Sequence, residues 1–328
     1  MRIGTVLTVL LPLAMLLGLG FGTLFHDFSE RLGVLIDPLV LTLLTLIFFE
    51  VRFTRLRIAS DQITFLFLAW VTNFILIPIL SWGLASCFFP NQPALFTGLF
   101  LYLLFPCTDW FLAFTRIAKG DVALGSILIP INLISQLFLF PIYLAIFIGF
   151  ETGFEVVDTW RMFWQWFLIP FVGGIFVRLT LSIVLSSGHF KSITKFAGSS
   201  VPWALSALVF CIFSCHTFEL ATHSSTFPFI LLAIFLFFLA TWVMGEFFKR
   251  LFRLTRSQHV LFAMTTTARN SPLMLGLAAI VLPGQPMVYA VLIIGMLVEF
   301  PHLTFLSRIV QAPNNPFTTS VNKSVSIQ

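Results

Sequence analysis

The chain has 328 residues, 59% of them hydrophobic and 9% charged, with a net charge of +5 and a mean hydropathy of +1.02. Soluble domains carry about 25% charged residues, so the composition excludes a water-soluble globular fold and defines an all-α polytopic membrane protein. A β-barrel would need alternating segments of about ten residues, whereas the apolar runs here are continuous.

Runs of about twenty apolar residues predict about ten spans, at roughly 4–24, 32–51, 62–87, 94–115, 122–149, 162–186, 199–221, 227–247, 257–282 and 287–310. The first follows Met1-Arg2 and has no small-residue cleavage site leading into a soluble domain, so it reads as a membrane helix rather than a signal peptide. The span near 122–149 is the longest and must tilt or extend beyond the bilayer. Polar content is concentrated in the connections 52–61, 187–198 and 248–257. Residues 1–312 form one transmembrane domain, and 313–328, rich in Asn, Ser and Thr, is expected to be a disordered cytoplasmic tail.

Lys and Arg residues set the orientation. Fourteen lie on the amino-terminal side, among them Arg52, Arg55, Arg57, Lys249, Arg250, Arg253 and Arg256, against Arg31 and Arg161 on the other. Both termini are therefore expected in the cytoplasm, in a cell inner (plasma) membrane. The net positive charge belongs to these loops, and no nucleic-acid partner is expected. Ten spans divide into two inverted five-helix repeats, about 1–150 and 160–312, in which the fourth and ninth spans correspond. Each is followed by a short loop with glycine (Lys119-Gly120-Asp121; Pro283-Gly284-Gln285) and then a helix with Phe-Pro (Phe140-Pro141; Phe300-Pro301).

The two corresponding spans are the ones that look broken. The fourth contains Phe105-Pro106-Cys107-Thr108-Asp109-Trp110, and the ninth contains Thr265-Thr266-Thr267-Ala268-Arg269-Asn270-Ser271-Pro272. An arginine at a helix centre in lipid costs about 2.5–3.5 kcal/mol on insertion scales. Proline removes a backbone donor and frees the carbonyl one turn earlier. Irregular backbone at that depth survives only when buried in protein or lining a watery cavity. Paired, proline-interrupted spans in two halves point to a transporter site, and the fold is expected to have the fourth and ninth helices broken and crossing.

Within the breaks, Cys107, Thr108, Asn270 and Ser271 are candidate substrate-binding residues. Thr265, Thr266 and Thr267 serve equally well as caps for frayed backbone. Asp109 and Arg269 could pair across the breaks, which would lower the cost of each. Glu299 lies mid-span with no other charge on its helix until Arg308, and an intramembrane carboxylate of this kind reads as a proton or cation site. Asn73 and Pro78 in the third span, and Asn132 and Gln136 in the fifth, fit interhelical hydrogen-bonding groups. Cys211 and Cys215 share a helical face beside His216, but two thiols on one helix without other ligands are weak evidence for a metal site; no metal site is assigned. All four cysteines fall in or at the ends of apolar runs and are expected as thiols. Glu50 and Asp37 lie near span ends, where they can reach water. No phosphate-cradling glycine loop or metalloprotease helix occurs, so neither an enzyme, an ATP-driven pump nor a cofactor is expected.

These residues resemble the bile acid:sodium symporter superfamily, and within it the arsenical-resistance (arsenite permease) branch. The likeness rests on Pro106-Cys107-Thr108-Asp109-Trp110 with Ala118-Lys119-Gly120-Asp121, and on Ala268-Arg269-Asn270-Ser271 with Gly295-Met296-Leu297-Val298-Glu299-Phe300-Pro301. The resemblance implies that Cys107 is the family's essential cysteine and Glu299 its essential carboxylate, with Asn270 in the ninth-span break. The sequence departs from the arsenite permeases after Asn270, where Ser271-Pro272-Leu273 stands in place of an Asn-Phe-Glu run.

The expectation is a secondary transporter that exports arsenite or antimonite, a small-molecule substrate, by proton antiport. Glu299, Asp109 and Arg269 would couple the ion. A sodium-coupled symporter of an organic anion is the alternative, with Arg269 or a half-helix end holding the carboxylate.

Overall fold

The computed structural model describes residues 2–50, 60–108, 110–148 and 171–311. Residues 52–59 of the predicted connection, the first part of the sixth span, Asp109, and the tail from residue 312 lie outside them.

Among the described residues the secondary structure is helical, without strands. In chain order the helices are α1 (Arg2–Leu24), α2 (His26–Arg31), α3 (Ile36–Glu50), α4 (Ser60–Val71), α5 (Ile77–Phe88), α6 (Pro93–Leu104), α7 (Trp110–Ile117) and α8 (Val122–Tyr143). Then follow α9 (Phe171–Val184), α10 (Ser187–Cys215), α11 (Thr217–Thr222), α12 (Phe227–Leu251), α13 (Arg256–Thr267), α14 (Ser271–Val281) and α15 (Pro286–Ile309). Among the described residues, six helical stretches are long and apolar enough to cross a membrane: His26–Phe49, Gln62–Phe88, Val122–Phe147, Gly188–Cys215, Ser224–Leu251 and Pro286–Ile309. Four shorter apolar helices, Val9–Leu24, Pro93–Leu104, Phe171–Val184 and Ser271–Val281, accompany them.

The outer surface is apolar, as lipid requires. On α12, Phe229, Leu232, Phe235, Leu239, Val243 and Phe247 point outward, while Ile230, Ala233, Ile234, Phe237, Phe238 and Thr241 are buried. A helix apolar on both faces, with one of them still exposed, is suited to hydrocarbon rather than water.

One expectation is revised. The connection predicted at 187–198 is part of the single 29-residue helix α10. Lys191 and Lys195 are exposed on it, and Ala197 and Val201 are buried, so the polar stretch is the water-facing start of a helix whose later part enters the core. The third span runs as one helical stretch, Gln62–Phe88, with five residues, Thr72–Leu76, forming a π-turn between α4 and α5. Pro78 follows at the start of α5 and cannot supply the N–H that the Phe74 carbonyl would receive one turn on. The Tyr143 hydroxyl of α8 donates to that carbonyl instead.

Helices α6 and α15 come close together because each offers a glycine where the other is bulky. A Cβ on Gly98 would lie 2.9 Å from Cβ of Val291, and one on Gly295 would lie 2.4 Å from the Tyr102 ring. Small residues at such contacts let membrane helices approach closely. The Tyr102 hydroxyl, fully buried, then donates to the Gly295 carbonyl at 2.9 Å. This packing fixes α15, which carries Glu299, against α6, which ends at the first break.

Candidate functional site

The first break begins where Pro106 stops α6. Phe105 is already extended, with φ −113° and ψ 140°. The second begins at Ala268, also extended, after α13 ends at Thr267. The two extended pieces meet as one antiparallel bridge between Pro106 and Arg269. Cys107 donates its N–H to the Ala268 carbonyl at 2.9 Å, and Asn270 donates its N–H to the Phe105 carbonyl at 3.0 Å. Each break thus supplies the backbone partners that the other lacks, which is what permits non-helical chain at membrane depth.

Side chains tie the joint to its neighbours. Gln136 of α8 bridges both breaks: its Nε2 donates to the Pro106 carbonyl at 2.8 Å, and its Oε1 accepts from Asn270 Nδ2 at 2.8 Å. Glu299 of α15 is 2% exposed and stands at the start of α14. It accepts from the Arg269 backbone N–H at 2.9 Å and from the Ser271 hydroxyl at 3.0 Å. A carboxylate there complements the positive end of the α14 dipole.

Arg269 has no solvent exposure. Its guanidinium donates to carbonyls at the ends of two helices: Thr266 at 2.7 Å, Thr265 at 3.0 Å and Thr267 at 3.4 Å on α13, and Leu103 at 3.2 Å on α6. Asn73 Oδ1, from the π-turn, is 3.4 Å away, and the face of Phe237 lies 5.4 Å from the guanidinium carbon. The cation therefore sits where C-terminal carbonyls concentrate partial negative charge.

Cys107 is 1% exposed, and its sulfur accepts the Trp110 N–H at 3.2 Å, capping the start of α7. Thr108 beside it is also buried. The structure thus brings Cys107, Thr108, Arg269, Asn270, Ser271 and Glu299 to one joint. Asp109 falls outside the described residues, and with it the expected pairing to Arg269. Of the three threonines, Thr265 accepts from Asn73 Nδ2 at 3.3 Å, Thr266 caps the Phe262 carbonyl, and Thr267 meets the Thr241 hydroxyl at 3.3 Å. Asn73 and Gln136, read from sequence as interior hydrogen-bonding groups, are parts of the joint itself. Asn132, one turn before Gln136, is buried with neither amide atom partnered among the described residues. Tyr102 and Phe237 carried no signal in the sequence, because an aromatic in an apolar run is indistinguishable from packing. Away from the joint, Arg178 on α9 donates to the Phe49 carbonyl on α3.

The other sequence candidates lie elsewhere. Cys215 donates to the Ser29 carbonyl at 3.1 Å, a contact that packs α10 on α2. Asp37 is exposed in the first turn of α3, and all four cysteines are free thiols.

Apolar helices with a lipid-type exterior, two of them interrupted and joined at a buried polar junction, define a multi-pass helical membrane protein. Residues 37–225 match the model of the Sodium Bile acid symporter family, and the chain belongs to that family of membrane transporters. It is also 26% identical over 219 residues to the arsenical-resistance protein Acr3 of Corynebacterium glutamicum. That match takes in 61% of this chain and 58% of the relative, so it spans less than two thirds of the relative's length.

Proposed function

We propose that the protein is a secondary transporter that exports arsenite or antimonite in exchange for protons. Its six long and four shorter apolar helices would make up about ten spans in two inverted repeats, with the breaks after α6 and α13 as equivalent points. The observation that carries the reading is Glu299, a buried carboxylate held at the junction by the Arg269 N–H and the Ser271 hydroxyl. Adding a proton to it weakens both acceptors, because hydrogen bonds to a charged group are the stronger kind. Proton occupancy and the set of the α14 break then change together, which is what coupling requires. Support for the substrate comes from the chemistry of the other break and from the name of the Corynebacterium relative. Arsenite at neutral pH is an uncharged trihydroxide. Cys107 offers a soft sulfur for the arsenic centre, and Thr108, Asn270 and Ser271 offer hydrogen-bonding groups for its hydroxyls. Asp109 and Arg269 would assist at the ion site. The bilayer would be the cell inner membrane, with both termini in the cytoplasm.

The family's description favours a second reading, sodium-coupled uptake of an organic anion. That reading predicts transport that needs sodium and is indifferent to Cys107.

The deciding experiment is arsenite accumulation in everted membrane vesicles under an imposed proton gradient, with wild type, Cys107→Ser and Glu299→Gln compared. Gradient-driven accumulation in wild type that is lost in Glu299→Gln supports proton antiport. No accumulation by correctly inserted wild type would rule out arsenite, and organic anions with sodium would be tested next.

A further inference from the structure

The C-terminal ends of half-helices attract cations, because their last carbonyls have no intrahelical N–H and carry the negative pole of the helix. In transporters built on broken spans, such ends and nearby unwound carbonyls coordinate the coupling cation. Here α6 and α13 end beside one another, and the carbonyls of Leu103, Thr265, Thr266 and Thr267, with Asn73 Oδ1, make a shell of five neutral oxygens. All five residues are buried. The guanidinium of Arg269 fills this shell, with the Phe237 ring against it.

We propose that Arg269 is a tethered cation: its guanidinium occupies a monovalent-cation seat formed by the ends of α6 and α13, and it determines ion specificity by making sodium or potassium unnecessary there. The positive charge that would otherwise arrive with a coupling ion is part of the chain. Its burial is sustained by the oxygens it neutralises. Glu299 stands on the other side of the joint, at the N-terminal end of α14, and is engaged by the Arg269 backbone rather than by the guanidinium. The seat for a fixed cation and the site for a mobile proton are thus separate. The consequence for transport, coupling to protons with indifference to sodium, rests on the function proposed above; the occupancy of the seat does not.

The test is the thermal midpoint of purified protein in detergent, measured for wild type, Arg269→Ala and Arg269→Lys. Sodium, potassium, guanidinium or N-methylglucamine chloride is titrated at millimolar levels and constant ionic strength. A cation that binds only the folded state raises the midpoint in a saturable way. The expected result is a wild type insensitive to the choice of cation. Arg269→Ala should have a lowered midpoint that guanidinium or sodium restores and N-methylglucamine does not. Arg269→Lys should recover part of the loss without added cation, a rescue that loss of packing alone would not give. Sodium-specific stabilisation of wild type would overturn the proposal, as would an Arg269→Ala midpoint indifferent to all four cations. If Arg269→Ala is not recovered folded, Arg269→Gln carries the same test with the same two readings. Because the readout is binding, it stands or falls independently of whether vesicles accumulate arsenite.

Discussion

Arg269 contacts Glu299 with its backbone N–H rather than its guanidinium: the N–H donates to Oε1 at 2.9 Å, while the guanidinium turns to the carbonyls of Leu103, Thr265, Thr266 and Thr267. Each charge is placed against the helix pole of opposite sign, the carboxylate at the start of α14 and the cation at the ends of α6 and α13. Such placement is worth about 0.3–1 kcal/mol per charge at a surface and up to about 2 kcal/mol when partly buried.

Glu299→Gln keeps an oxygen that can accept the Arg269 N–H, so the fold should survive with a loss of about 1 kcal/mol. Gradient-driven accumulation in everted vesicles should fall by at least about tenfold, the equivalent of about 1.4 kcal/mol. Glu299→Leu removes both acceptors and leaves the Arg269 N–H and the Ser271 hydroxyl buried without them. It should lower the thermal midpoint in detergent well below that of the Gln variant. Equal midpoints for the two would contradict the capping role.

Gln136→Leu should uncouple the two breaks. It strips a partner from the Pro106 carbonyl and from Asn270 Nδ2, and each buried group left unsatisfied costs about 1–3 kcal/mol. The variant should show a lower thermal midpoint and slower transport. Gln136→Glu retains an acceptor for Asn270 and should recover part of the stability. A Leu variant as stable as wild type would show that the bridge contributes nothing.

Gly295→Ala places a methyl 2.4 Å from the Tyr102 ring. Overpacking of this kind costs about 1–3 kcal/mol, and the variant should be recovered from membranes in reduced yield. Adding Tyr102→Ala removes the obstruction. The double variant should therefore lose less than the two single losses added together, the signature of residues in contact. Additive losses would mean that the two residues do not meet.

Cys107→Ser retains an acceptor for the Trp110 N–H, so α7 should keep its cap and the protein its midpoint. What disappears is the soft ligand. Arsenite accumulation should fall by at least about tenfold, while an uncharged polyol of similar size should be affected little. A serine variant that transports arsenite normally would remove the thiol from the path.

The sequence told where the joint would be, because charge and proline are costly inside an apolar run. Pro106, Pro272, Arg269 and Glu299 announce themselves by composition alone. It did not tell how the joint is held. Gln136 looks like any amide inside a bundle until the Pro106 carbonyl and Asn270 are found on either side of it. Tyr102 and Phe237 are hidden among 42 phenylalanines and 3 tyrosines in apolar runs. The π-turn at Thr72–Leu76 adds a residue to a helical turn without any residue type that demands it. At 187–198 the physical reason differs: hydropathy reads Lys191 and Lys195 as loop, although the helix of α10 continues through both.

The bridge between Pro106 and Arg269 has one further consequence, for how the gene can vary. Paired extended residues alternate in facing, so a register slip of one position reverses which side every side chain occupies. A single codon inserted between Phe105 and Cys107 would swing Cys107 away from the α7 terminus and misalign Ala268 and Asn270 with their partners. The same insertion between Ala268 and Asn270 would do so from the other extended segment. Length changes in the two breaks are therefore not independent: relatives that keep this junction should hold both segments free of gaps, or show compensating gaps in both, while the exposed connections between helices vary in length around them.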